Sequence, residues 1–160
     1  MKVVDDFLPS LEFRSLHDFM MGEYFNWYYT DGIAVIPQPG KFQFIHNFYG
    51  EDGERPTFGT VIPIIKRLNT GSLIRIKANL NPQTVFHRKG GYHTDFASAG
   101  PHKTAIFYVN TNNGYTKFKK GGKVNSVANR MVIFDSEVDH DGITCTDEKR
   151  RVVINFNYYA

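Results

Sequence analysis

Two residues in segment 91–96 are of types that bind metal ions, since His93 and Asp95 lie two apart in Gly-Tyr-His-Thr-Asp-Phe. Residues with this spacing on a β-strand project to the same side, so an imidazole and a carboxylate could reach one ion. A His-x-Asp triplet is common by chance in a chain with six histidines and ten aspartates. The pair therefore needs a third ligand to indicate a metal site.

His140 is the candidate for that third ligand, because it follows an apolar strand predicted for 131–134 and a strand end suits the mouth of a barrel. Two histidines and one carboxylate on one triangular face leave three positions of an octahedral ion open. This is the ligand set of non-haem iron(II) oxygenases rather than of a closed structural zinc site. Zinc hydrolysis is also compatible with these ligands. The flanking Asp139 and Asp141 could orient the ring of His140 or simply solvate a loop.

Two arginines, Arg150 and Arg151, lie at the start of the last predicted strand. Arg150 lies ten residues beyond His140, and a guanidinium there could bind the distal carboxylate of a dicarboxylate through two parallel hydrogen bonds. Arg151 competes for this role. Strand alternation puts Arg150 on an apolar face and Arg151 on a more polar one. We expect the apolar face to line the barrel interior, which favours Arg150.

Helical periodicity predicts a helix over 10–21, with Ser10 as its N-cap, and a second one over 59–68 with Pro63 in the first turn. Most of the remaining chain is rich in aromatic and β-branched residues between turn signals, which predicts strands. These strands are 24–30, 33–36, 41–49, 73–80, 103–110, 124–128, 131–134 and 151–159. We expect one mostly β (α+β) domain spanning 1–160, whose strands close into a jelly roll or barrel behind packing helices.

The overall composition sets limits on partners and compartment. A net charge of +3, with its only dense basic cluster in the glycine-containing segment 117–123, makes nucleic-acid binding an unfavoured prediction. The single Cys145 cannot form an internal disulfide, which is typical of a reducing compartment. Without a long apolar segment, we expect a cytoplasmic protein that does not cross a membrane. The oligomeric state is left open.

Several segments together resemble the iron(II)/2-oxoglutarate dioxygenases, most of all the prolyl 4-hydroxylase branch and its small relatives in marine phages. In order along the chain they are 91–95 (GYHTD), 103–110 (KTAIFYVN), 114–118 (GYTKF), 129–135 (NRMVIFD), 140–142 (HDG) and 146–158 (TDEKRRVVINFNY). The resemblance covers about 73–159, and the opening 3–9 (VVDDFLP) also looks like the start of such enzymes.

The resemblance implies a double-stranded β-helix, the jelly-roll fold of these hydroxylases. Iron(II) would be held by His93, Asp95 and His140, and 2-oxoglutarate by Arg150. Dioxygen would be the oxidant, with ascorbate as an optional further cofactor, and the substrate would be a small molecule or a peptide such as a prolyl peptide.

Two further residues match positions that hold 2-oxoglutarate in the family. Tyr108 corresponds to the tyrosine of the family's Tyr-Leu-Asn strand and Thr116 to the threonine of its Gly-Gly-Glu-Thr turn. This chain has Tyr-Val-Asn and Gly-Tyr-Thr instead. Many relatives also have a tyrosine on the strand before His-x-Asp; here 73–80 contains none, and Lys77 or Asn79 could replace it.

Two other classes of function compete with a hydroxylase. A jelly-roll binding module could carry the triad as a vestigial or structural metal site, and a cupin-like metal isomerase or hydrolase would need no arginine. The remaining histidines are expected to be ordinary surface or hydrogen-bonded residues; they are His17, His46, His87 and His102. Segments 38–56 and 117–123 are candidates for the substrate-selecting rim, with His87 and His102 near its mouth.

Overall fold

The structure is a computed structural model that describes residues 1–32, 40–96 and 100–160. Two helices, α1 (Ser10–Met21) and α2 (Ile62–Leu68), lie in the first half of the chain, and a 3-10 turn (Phe58–Val61) leads into α2. The described residues form eleven strands. They are β1 (Lys2–Val4), β2 (Tyr28–Asp31), β3 (Phe42–Gly50), β4 (Gly53–Glu54), β5 (Ser72–Pro82), β6 (His102–Tyr108), β7 (Tyr115–Phe118), β8 (Lys123–Asn125), β9 (Arg130–Asp135), β10 (His140–Ile143) and β11 (Arg150–Tyr159).

These strands form two antiparallel sheets. The major sheet has the order β1-β9-β6-β11-β5-β3-β2, with β4 paired to β3, and the minor sheet has the order β10-β7-β8. Neighbouring strands of the major sheet are far apart in sequence, as when β11 pairs with β5 on one side and β6 on the other. The mostly β, jelly-roll fold with two packing helices is therefore confirmed.

The two helices pack on the outer side of the major sheet. They contribute Leu16 and Met20 from α1 and Ile64 and Leu68 from α2. The apolar residues that the sheet contributes to this core include Ile76, Ala78, Leu80, Ala105, Phe107, Val109, Met131, Val152, Ile154 and Phe156. This outer core is the larger of the two hydrophobic clusters. Neither helix of the described chain is long and apolar enough to span a bilayer.

The inner side of the major sheet has two different halves. Over β6, β9 and β11 it is covered by the minor sheet, and the residues between them form an inner apolar cluster of Ile106, Tyr108, Phe118, Val124, Val132, Phe134 and Val153. Over β5, β3 and β2 the inner side is polar and opens into a cavity of about 250 Å³. The cavity extends to the boundary between the two halves, where Ile106 and Val153 form part of its wall.

The predicted helices are confirmed in position, although Pro9 rather than Ser10 precedes the first one and no side chain caps it. Pro63 lies in the first turn of α2, as predicted. The predicted strands are present with shifted ends, except that 24–30 is a strand only from Tyr28 and 33–36 falls outside the described residues. The sequence did not predict β1, β4, β7 or β10, which are two to four residues long and therefore too short to show a clear alternation.

Candidate metal centre and buried arginine

The two histidines of the predicted triad face each other across an antiparallel backbone bridge. The amide of His93 donates to the carbonyl of His140 and the amide of His140 donates back, both at 3.0 Å. His140 is the first residue of β10, whereas His93 lies outside the named strands and pairs with His140 through this isolated bridge. Asp95 follows, and the ligand atoms of all three residues lie within 4.8 Å of one another.

Backbone carbonyls orient both imidazole rings. Nδ1 of His93 lies 3.0 Å from the carbonyl oxygen of Gly91, and Nδ1 of His140 lies 3.0 Å from that of Val138. A carbonyl can only accept, so Nδ1 carries the proton and Nε2 keeps its lone pair for a metal. Burial lowers the pKa of His140, against the opposing charge of Asp95. The ring is therefore neutral at physiological pH, as a metal ligand must be.

Three side chains hold the carboxylate of Asp95. Oδ2 accepts hydrogen bonds from Oγ1 of Thr104 at 2.6 Å and from Nδ2 of Asn157 at 2.9 Å, and Oδ1 lies 3.3 Å from Nη2 of Arg75. Burial alone would raise the pKa of Asp95, but the positive charge that His140 carries when it is protonated, these hydrogen bonds and Arg75 bring it below its ordinary value. Asp95 is thus an ionised carboxylate ready to bind a cation.

Two imidazoles and one carboxylate, directed into a cavity, fit a divalent ion of the iron(II) type with coordination positions left open. Of the aspartates beside His140, Asp139 pairs with Lys119 at the surface, at 3.1 Å. Asp141 is buried and accepts from the amide of Gly91 at 2.9 Å. Asp141 therefore fixes the segment that carries His93, and neither aspartate binds the ring of His140, which is held by Val138.

The expectation that Arg150 faces the interior of the jelly roll is wrong. Its Nη2 donates to the carbonyl of Met21 at 2.5 Å, and its side chain lines a depression with Trp27 and Phe44, away from the triad. The apolar face of β11 packs against the helices, because the major sheet has its large hydrophobic core on the outer side. The polar face of β11 consequently turns inward.

Arg151 lies on that inner face and lines the same cavity as the metal triad. Its side chain is 2% exposed. Nη2 donates to Oγ1 of Thr116 at 3.1 Å and Nε to Oγ of Ser126 at 3.0 Å, and the guanidinium carbon lies 5.7 Å from the ring centre of Tyr108. Across the described ranges, Arg151 forms no ion pair with a carboxylate.

Tyr108 and Thr116 lie together beside this arginine. The hydroxyl of Tyr108 donates to Oγ1 of Thr116 at 2.8 Å, and both residues are buried. Burial raises the pKa of Tyr108, so its hydroxyl stays protonated. The glycine at position 114 leaves space for the side chain of Arg151, because a Cβ there would lie 2.7 Å from Cδ of Arg151. The structure thus brings Tyr108 and Thr116 into contact with each other and with Arg151.

The cavity wall continues onto β5, the strand paired with β11, as a polar row formed by Arg75, Lys77, Asn79 and Asn81. Lys77 and Asn79, the two predicted replacements for the family tyrosine, both line the cavity. Asn81, which the sequence reasoning missed, pairs in register with Arg151. Oδ1 of Asn79 is buried and has no hydrogen-bond partner within the described parts of the chain. A buried amide oxygen without a partner indicates a polar ligand or water at this point.

Comparison with known proteins finds similarity in structure only, since no protein-family model and no curated protein sequence matches the chain. A prolyl hydroxylase from Trichoplax adhaerens, in complex with a hypoxia inducible factor oxygen degradation domain peptide fragment, matches with a TM-score of 0.73 and 13% identity, over 99% of this chain and 82% of that one. The chain has the fold of the 2-oxoglutarate/iron(II) oxygenases.

Two further solved structures are also similar in fold to this chain. A prolyl-4-hydroxylase from Pseudomonas putida matches with a TM-score of 0.62 and 18% identity, over 99% of this chain and 92% of that one. HygX from Streptomyces hygroscopicus, with nickel and 2-oxoglutarate bound, matches with a TM-score of 0.64 and 10% identity, over 98% and 81% of the two chains. Identities this low establish the fold and leave the activity to be argued from the site.

The four histidines outside the triad do not line the cavity that contains it; they are His17, His46, His87 and His102. His46 is bonded to the carbonyl of Asn26 and the hydroxyl of Thr57 in the outer core, and His87 to the carbonyl of Thr144. Of the predicted rim segments, the described part of 38–56 contributes Gln43 and Ile45 to the cavity wall, and 117–123 contributes none of the lining residues.

Proposed function

We propose that this protein is an iron(II)- and 2-oxoglutarate-dependent oxygenase that hydroxylates its substrate. His93, Asp95 and His140 would hold the metal, and Arg151, in place of the expected Arg150, would bind the distal carboxylate of 2-oxoglutarate. The observation that supports this most is the buried guanidinium of Arg151 in the same cavity as the triad, bonded to hydroxyls and to no carboxylate. A buried charge without a counter-ion carries a large desolvation penalty, which an anionic ligand would offset.

Arg151 and Thr116 both have hydrogen-bond donors left for the carboxylate of 2-oxoglutarate. A guanidinium has five N–H donors, of which Arg151 uses two on Thr116 and Ser126. Others remain for a carboxylate, which pairs with arginine through two parallel hydrogen bonds. Thr116 already accepts from both Tyr108 and Arg151, so its own hydroxyl hydrogen is free to donate to the same carboxylate. These two hydroxyl residues are proposed as co-substrate contacts.

The bound iron and 2-oxoglutarate would supply the oxidising chemistry, in which dioxygen oxidises 2-oxoglutarate to succinate and carbon dioxide and hydroxylates the substrate. The protein fixes the ligands before the metal arrives, through the carbonyls behind His93 and His140 and the three donors to Asp95. Ile106 and Val153 of the inner apolar cluster wall the cavity and limit the access of water. Ascorbate is expected to prolong turnover by keeping the iron reduced.

A prolyl residue is the first hydroxylation site we propose, as a free amino acid or within a peptide. Two of the similar structures are prolyl hydroxylases, and one of them contains a peptide fragment. A jelly-roll binding module and a metal-dependent isomerase or hydrolase could share the triad. Neither gives a role to a buried arginine facing that triad.

Succinate formation tests the proposed activity. Anaerobically purified protein loaded with iron(II) should convert 2-oxoglutarate to succinate when oxygen is admitted, slowly without substrate and faster with it. The Asp95→Ala variant is the matched control, and it should lose both the metal and the activity. Absence of succinate from wild-type protein that demonstrably holds iron would refute the proposal and favour a binding module.

A further inference from the structure

The open half of the cavity contains a second cation that the proposed co-substrate site does not use. Lys77 lines the cavity on β5, and its ammonium makes no hydrogen bond to any residue within 1–32, 40–96 or 100–160. Burial lowers the pKa of Lys77, as does the neighbouring charge of Arg75, while Asp95 acts in the opposite direction. An ammonium in such surroundings gains stability from an anionic partner.

Lys77 lies on the side of the cavity away from the proposed co-substrate anchor. Arg151 reaches Thr116 on β7 and Ser126 just after β8, so its guanidinium lies under the minor sheet. Lys77 lies on β5, beyond β11, where its neighbours in register are Asn155 and Asn47. The cavity wall continues from β5 to Gln43 on β3 and then to the edge strand β2. Lys77 therefore faces the half left for a substrate.

The charges of the cavity favour an anion there. Three of the charged side chains that line it are positive and two are negative; they are Arg75, Lys77 and Arg151 against Asp31 and Asp95. A divalent metal and a doubly charged co-substrate would cancel, which leaves one net positive charge. Arg75 is already bonded to Asp95 and Asn157, and Arg151 is the proposed anchor. Lys77 is the cation that remains.

We infer that the substrate carries a carboxylate close to the carbon that is hydroxylated, and that Lys77 binds this carboxylate. The inference rests on the proposed function, since it takes the metal and 2-oxoglutarate as the other occupants of the cavity. The cavity, at about 250 Å³, is smaller than typical ligand pockets, which span roughly 300–1,000 Å³. Room for the substrate is therefore limited to a small group. For a prolyl substrate, a free carboxyl group or an acidic neighbour would meet the requirement.

Acetate is a probe that does not depend on knowing the substrate. Protein loaded with manganese(II) and saturating 2-oxoglutarate is titrated with ¹³C-acetate, and the relaxation of its carboxyl carbon by the metal reports both affinity and proximity. Acetamide is the uncharged control of the same shape, and methyl phosphate is the alternative anion. We expect acetate to bind near the metal, acetamide to bind much more weakly, and methyl phosphate to bind no better than acetate.

Substitutions then assign the site to Lys77. Lys77→Met should weaken acetate binding roughly tenfold or more, as expected for loss of a charge-assisted hydrogen bond, and leave the affinity for 2-oxoglutarate unchanged. Lys77→Arg should retain most of the binding. Lys66→Met removes the same charge from the exposed face of α2 and should have no effect.

Three outcomes would overturn the inference. Equal binding of acetate and acetamide would remove the need for an anion, and tighter binding of methyl phosphate would replace the carboxylate with a phosphate. A loss of 2-oxoglutarate affinity in Lys77→Met would assign Lys77 to the co-substrate. If wild-type protein held manganese and failed to bind 2-oxoglutarate at all, the proposed function itself would be wrong, which separates the two failures.

Discussion

The two faces of β11 have different surroundings, although their residues alternate along a single strand. The outer face, with Val152, Ile154 and Phe156, is fully buried against other apolar side chains beneath the helices. The inner face carries Arg151, Asn155 and Asn157, whose polar groups meet the cavity or the carboxylate of Asp95. Hydrophobic patterning therefore marks the side of this sheet that stabilises the fold, whereas the opposite side carries the polar groups around the candidate metal centre.

The largest effect on stability is expected on the outer face. Phe156→Ala removes a fully buried ring and should lower the free energy of unfolding by about 3–5 kcal/mol. Asn155→Ala, its neighbour on the inner face, is half-buried beside the cavity and should change stability far less. Urea denaturation of both variants makes the measurement. Similar losses of unfolding free energy in the two variants would contradict the idea that the outer face of β11 contributes most of its stability.

The inner face should instead control metal affinity. Asn157→Ala removes one of the donors to Asp95, and losses of such supporting groups weaken metal binding roughly 10–100-fold. Calorimetric titration with manganese(II) would measure this, with Asn155→Ala as a control that keeps the support of Asp95. Unchanged affinity in Asn157→Ala would show that Thr104 and Arg75 hold the carboxylate without it.

Acidification should lower the stability of the folded protein by a smaller amount, through one buried histidine on each side of the major sheet. Burial lowers the pKa of both His46, in the outer core, and His140, in the metal-free site, below the ordinary 6.5. The unfolded chain then binds more protons than the folded one as pH falls through about 6.5, so stability decreases. Urea denaturation at about pH 7.5 and about pH 5.5 should show that His46→Gln and His140→Gln each lose less stability than wild type. Parallel losses in all three proteins would refute these shifts.

The sequence was sufficient to predict the fold and the cluster of His93, Asp95 and His140, because the spacing of His93 and Asp95 and the ordered family segments are local features. It was misleading for Arg150, because strand alternation separates two faces without saying which one is covered by helices. The polar residues on the other face of this strand, Arg151, Asn155 and Asn157, were the feature of the sequence that could have indicated the cavity side. Thr104, Asn157 and Ser126 were missed because their roles depend on contacts between residues at least nine apart along the chain.

We propose that Arg151, and not its neighbour Arg150, binds the co-substrate. Calorimetric titration of 2-oxoglutarate into manganese-loaded protein tests it most directly, with Arg151→Gln and Arg150→Gln as a matched pair that removes the same charge from opposite faces of β11. We expect Arg151→Gln to keep the metal and to lose roughly tenfold to a hundredfold or more in affinity for 2-oxoglutarate, while Arg150→Gln binds like wild type. The reverse pattern, or equal affinity in both variants, would contradict it.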